Sequence, residues 1–204
     1  MSIKNQIPRY FVVLMSLCLL MTYSCKKDIK GCIDPKATNY NDNANQDDGS
    51  CTYLNIGQEY QGGVIFYIDN SGLHGLIAPT SDQSAGIAWD NGQSLHTNAL
   101  GTTIGSGKAN TNAIIAVQGV GSYAAYMCDT LQLNGYNDWF LPSLDELYAL
   151  YTQDLAGTVL GFTNDLYWSS TEYTNYIAWT VDFSGSLLND EKTTPHRVRA
   201  IRAF

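Results

Sequence analysis

Asp138 to Tyr151 reads DWFLPSLDELYALY, and this stretch decides the fold. Ser143 and Glu146 stand three apart behind Pro142. That is the capping-box spacing, in which each side chain satisfies a backbone N–H at a helix start. Leu144, Leu147, Leu150 and Tyr151 then recur at steps of three and four. A helix therefore begins at Ser143 and buries that face. Beyond it lie YWSSTEY (Tyr167 to Tyr173), Ala178 to Phe183, and RVRAIRAF (Arg197 to Phe204). Their aromatic and β-branched content predicts strands at 167–170, 178–183 and 198–204, with Ser184-Gly185 turning the chain after the second.

Working backwards, GGVIFYID (Gly62 to Asp69) and HGLIAP (His74 to Pro79) predict a hairpin across Ser71-Gly72. Residues 80–110 are polar and Gly-rich, and read as long loops around an isolated Trp89 and His96. Asn110 to Val117 predicts a helix capped by Asn110 or Thr111. Gly119 and Gly121 interrupt it, and Tyr123 to Leu131 continues as a second piece. Strands, then helices, then strands place the chain in the α+β class with an antiparallel sheet.

The first 24 residues read as an address. Lys4 and Arg9 open a basic start, and Phe11 to Met21 is an apolar run of 11 residues, too short to span a bilayer of roughly 20. Cys25 follows. Residues 25–30 form a charged tether, 31–53 a distinct Asp/Asn-rich unit, and 56–204 the main domain.

Across 204 residues the formal charge is −8. Without Lys4 and Arg9 it becomes −10, with 9 basic against 19 acidic groups. Such a surface repels phosphate backbones and excludes nucleic acid as the expected partner. It suits cations or neutral polar ligands such as sugars.

Residues 31–53 hold almost no aliphatic side chains and cannot build a core. They need a staple, and Cys32 and Cys51 are the natural pair in an oxidising compartment. Asp34, Asn39, Asn41, Asn43, Asn45, Asp47 and Asp48 gather carboxylates and amides between them. Calcium takes about 6 to 8 such oxygens, so the cluster is a candidate Ca2+ site; the alternative is a set of Asx turns under the disulfide.

Elsewhere the chemistry is sparse. GTTIGSGKA (Gly101 to Ala109) departs from a phosphate loop at Thr102 and Ala109 and reads as a turn-forming loop. His74, His96 and His196 are scattered, without zinc spacing. Asp138, Asp145, Glu146, Glu172 and Asp182 are the carboxylates from which a glycoside-cleaving pair would be drawn. Glu146 is already explained by its cap, and Trp139 and Trp168 read as fold determinants. Cys128 sits in an apolar run and reads as a buried, inert thiol. In TEYTNYIAW (Thr171 to Trp179), Glu172, Tyr173, Asn175 and Tyr176 crowd a loop between strands, where aromatic faces and polar groups suit sugar rings; a plain solvated loop is the other reading.

The main domain resembles the Lcl C-terminal family. The residues that carry the likeness are Gly62-Gly63, Asn110-Thr111, Ile114, Ala124-Ala125, Cys128, Asp138-Trp139, Leu141-Pro142-Ser143, Glu146-Leu147, Tyr167-Trp168-Ser169-Ser170, Trp179 and Arg197-Val198-Arg199. The resemblance implies a C-type-lectin-like fold: a twisted antiparallel sheet, two main helices and long loops. It also implies kinship with the formylglycine-generating enzymes, whose copper-binding cysteines have no counterpart here beyond Cys128. Some members are adhesins for sulfated glycans; the acidity of this chain speaks against a polyanion. The N-terminus resembles a lipoprotein signal, with Thr22 where Leu is usual, and Cys25 as the acylated residue. Residues 31–53 resemble a Cys-bracketed repeat of bacterial surface proteins.

The expectation is a lipoprotein of the cell envelope, held at the outer membrane or cell surface by an N-terminal lipid. It acts without catalysis, as an adhesion or binding module for glycans or surface proteins. The alternatives are a structural protein-interaction component of an envelope complex and, last, a formylglycine-generating type of enzyme.

Overall fold

The structure, a computed structural model, describes residues 27–159 and 161–204. The signal, residues 1–24, and Cys25 lie outside them. Lys30–Gly31 (β1) and Gln46–Asp47 (β2) pair in parallel within the small N-terminal unit. Glu59–Tyr60 (β3), Gly63–Ile68 (β4), Gly75–Ala78 (β5) and Ser84–Ile87 (β6) follow. Three helices come next: Gly107–Gln118 (α1), Ala124–Asp129 (α2) and Leu144–Leu155 (α3). Leu166–Glu172 (β7), Ile177–Asp182 (β8), Ser186–Glu191 (β9), His196–Val198 (β10) and Arg202–Ala203 (β11) close the chain.

The class is α+β, and its two 12-residue helices are α1 and α3. The strands form two larger sheets where one was expected. A five-stranded sheet runs β6-β10-β7-β8-β9, and a four-stranded sheet runs β11-β5-β4-β3. Most pairs are antiparallel, but β10 lies parallel to β7. The run 198–204 is consequently not one strand. Its first part sits inside the larger sheet, its last part edges the smaller one, and Ile201 bridges to Phe140 between them.

Alternation along β7 explains the layering, because neighbouring side chains leave a strand on opposite faces. Tyr167 joins Val181, Phe183 and the Leu147, Leu150 and Tyr151 face of α3 in one core. Trp168 joins Trp89, Trp139, Ile114, Ala124, Ala125, Cys128 and Ala178 in another. All three of these tryptophans are fully buried, and each indole N–H finds a carbonyl: Trp89 on Ser169 at 2.8 Å, Trp139 on Tyr136 at 3.3 Å, Trp168 on Ile87 at 3.0 Å. Buried Cys128 has its thiol pushed up by desolvation, the condition of an inert sulfur.

The predicted capping box at α3 is present in full. Ser143 Oγ accepts from the Glu146 N–H at 3.4 Å, and Glu146 accepts from the Ser143 N–H at 2.7 Å. The other oxygen of Glu146 takes the Gly105 N–H at 2.8 Å, while Ser143 Oγ donates to Thr103 O at 2.9 Å. Residues 101–107 therefore latch the start of α3. This contact moves the start of α1 forward to Gly107, ahead of the predicted Asn110 or Thr111. A Cβ on Gly107 would collide with Glu146, so only glycine lets the two helix ends meet. Asn110 instead braces Gly101, accepting its N–H at 3.1 Å and donating to its carbonyl at 2.6 Å.

Candidate functional site

Loops gather at one end of the five-stranded sheet. Tyr173 to Tyr176 joins β7 to β8, and Thr174 orders it: its Oγ accepts the N–H of Tyr176 at 3.2 Å and of Ile177 at 3.1 Å. Tyr173, Asn175 and Tyr176 are exposed, and Tyr173 rests edge-on against Trp179 at 5.2 Å. Glu172 N donates to Ala99 O and Lys192 N donates to Tyr176 O, both at 2.8 Å. These bonds lay segment 95–100 and the start of the β9–β10 turn beside the hairpin loop. Leu95 and Leu100 are exposed on that segment.

Glu172 is not on the loop surface where the sequence placed it. It ends β7, and its side chain is closed off from solvent. Its carboxylate accepts from Lys192 Nζ at 2.5 Å, from the Thr97 and Asn98 N–H groups at 3.0 Å, and faces His96 Nδ1 at 2.6 Å. A charge so deep must be paired, and the pair here is complete. Lys192 also donates to Leu95 O at 3.2 Å and lies 4.4 Å over the Trp89 ring. Desolvation pulls the Lys192 ammonium below its usual value, and Glu172 opposes that pull. Leu95 and Tyr176 are tied to this frame through their carbonyls, which accept from Lys192, while Tyr173 packs on Trp179. Only His96 reaches out of the frame, with 49% of its side chain exposed.

The family model for the Lcl C-terminal domain matches residues 79–202, from the end of β5 into β11. The chain belongs to the Lcl C-terminal domain family. No curated protein matches it. In this Lcl C-terminal domain the loop cluster lies wholly inside the matched span. The β3–β4–β5 strands precede that span, but β5 pairs with β11 and ties them to it.

Of the other candidate carboxylates, Asp138, Glu146 and Asp182 are bound up in the fold. Asp138 meets Arg202 through two bonds of 2.6 and 2.9 Å, and Arg202 stacks 3.9 Å from Tyr136. Asp182 turns back on Ser184. Glu146 holds the α3 cap, and its burial pushes the carboxyl up. His196 bonds Asp190 at 2.8 Å beneath Trp168. Asp145 stays exposed, and His74 likewise.

The N-terminal unit carries the expected Cys32–Cys51 disulfide. Its oxygen-rich side chains are engaged in local hydrogen bonds. Asp34 accepts from Lys36 N–H and Tyr53 O–H, Asn41 from Asn43 N–H, Asp47 from Gly49 N–H and Asp48 from Ser50 N–H. Asn39 cross-braces Ser50 and Thr52, Asn43 donates to Asp42, and Asn45 holds Lys27 and Ile29. These are Asx turns and struts. Among the described residues no three His, Cys, Asp or Glu side chains are grouped to hold a metal ion.

Sequence reasoning missed His96 and Lys192. Lys192 stands in a charged run, NDEKTTP, that reads as surface, and nothing local marks it as the partner of a residue 20 positions earlier.

Proposed function

We propose that this domain is a non-catalytic recognition module, displayed beyond the cytoplasm, that takes glycans through the loop cluster around Tyr173 and Tyr176. The observation that carries the reading is a loop of exposed aromatic rings, 54% and 62% accessible, that follows buried Glu172 and is bonded at Tyr176 O to Lys192. Exposed aromatic faces on a fixed support stack on sugar rings at little entropic cost. The disulfide fits an oxidising compartment. Attachment at the envelope would come from a lipid on Cys25. Among the described residues no helix is long and apolar enough to cross a membrane.

A second reading, a protein-interaction component of an envelope assembly, is favoured by the open edge of β9, where Leu187 and Leu188 are exposed. A glycan array, run with and without EDTA on the full chain and on Tyr176→Ala, separates the two. Binding that survives EDTA and is lost in Tyr176→Ala supports the first. No binding to any glycan, with a protein partner recovered by pull-down, supports the second and overturns the first.

A further inference from the structure

We infer that His96 is the polar contact at the centre of this surface, and that its Nε2 accepts a hydroxyl from an uncharged glycan. The inference rests on the recognition reading above and gives it a ligand class.

The argument begins at Glu172. Its carboxylate is surrounded by the Lys192 ammonium and the Thr97 and Asn98 N–H groups, so it acts as an acceptor on every side. His96 Nδ1 stands 2.6 Å from the same carboxylate. Two acceptors cannot share that distance, so Nδ1 carries the proton and donates. In the form protonated on Nδ1 alone, which is the form inferred here, the lone pair lies on Nε2. That atom is on the far side of a ring that is half exposed. The buried carboxylate thus fixes which nitrogen is left as the acceptor.

The backbone around His96 is fixed as well. Leu95 O accepts from Lys192, and the next two N–H groups, of Thr97 and Asn98, are spent on Glu172. The ring is therefore positioned before any ligand arrives, which keeps the cost of ordering out of the binding step. Exposed Leu95 and Leu100 lie on its own segment, and exposed Tyr176 lies on the loop whose carbonyl the Lys192 N–H holds. One oriented acceptor among apolar and aromatic surfaces is complementary to a sugar ring, which offers C–H faces and hydroxyl donors. A sulfate or carboxylate brings only acceptors, and would meet a lone pair on a chain of net charge −8. A lone imidazole does not make a metal site, and no three ligating side chains group here among the described residues.

The test has two arms. Long-range 15N NMR on the unmodified protein at neutral pH reads the tautomer directly. The Nδ1–H form is expected, and either an Nε2–H form or a doubly protonated ring overturns the inference. The second arm compares neutral oligosaccharides with their sulfated counterparts on an array, using the wild type, His96→Phe and Tyr176→Ala. Stronger binding to the neutral set, weakened about tenfold by His96→Phe, is expected from loss of one hydrogen bond. Binding unchanged in His96→Phe but lost in Tyr176→Ala overturns the assignment to His96 and leaves the recognition surface standing. Preference for the sulfated set overturns the ligand class. Absence of binding to either set overturns the parent reading and this inference together.

Discussion

Glu172 and Lys192 face each other at 2.5 Å with their side chains 0% and 1% exposed, one at the end of β7 and the other just past β9. Removing one partner strands the other charge in the interior. Lys192→Met is expected to cost about 3–5 kcal/mol, the usual penalty for breaking a buried pair. Glu172→Leu combined with Lys192→Met is expected to cost less than the sum of the two single changes. Urea unfolding of the four proteins completes the cycle, and additive losses would count against a coupled pair.

Gly107→Ala reverses a familiar rule. Alanine in a helix normally improves on glycine by about 1 kcal/mol. Here the new methyl meets Glu146 and the Leu141–Ser143 backbone at the start of α3. The expected result is a loss of about 1–3 kcal/mol, as for other overpacked sites. A melting temperature equal to or above that of the wild type would refute the latch between α1 and α3.

Acid should dissolve the Asp138–Arg202 pair in a defined window. The Arg202 guanidinium holds the Asp138 carboxyl below the ordinary aspartate value of 3.8. Since the folded value is the lower one, the pair's contribution is complete above 3.8 and drains away as pH falls through that lower value. Asp138→Asn is expected to melt below the wild type at pH 6, and the gap should close on acidification beneath 3.8. Melting curves of both proteins across that range provide the check.

The disulfide acts on the small unit alone. Cys32→Ser with Cys51→Ser removes a constraint across 19 positions, worth about 3 kcal/mol by loop-closure entropy. Residues 31–53 should become protease-sensitive while the two large sheets keep their protection. Limited proteolysis followed by mass spectrometry shows where the chain is cut.

The elements legible in the sequence are those whose signals are local. Ser143 and Glu146 announce α3 within four residues, and the Ser71-Gly72 turn announces the β4–β5 hairpin. β9, by contrast, is exposed or half-exposed throughout, and is a strand because β8 presents it with six partners. β6 contains only Ser84, Ala85, Gly86 and Ile87, and exists because β10 lies alongside. The split of 198–204 was hidden for a related reason: Arg199 turns its guanidinium to Asp82, Pro79 and Gly161, partners that no strand pattern foretells. At the site, Tyr173 and Tyr176 were readable as exposed aromatics. The inward turn of Glu172 was not, because it depends on a lysine brought in by a later strand.

The strand order has a consequence for how the molecule is made. β10, which sits between β6 and β7, and β11, which edges the smaller sheet, are the last strands to be made, within residues 196–203. Neither large sheet is complete until residues 196–203 have been made. A message truncated ahead of residue 196 would yield not a slightly shorter domain but an unclosed one, and quality control would meet it as such.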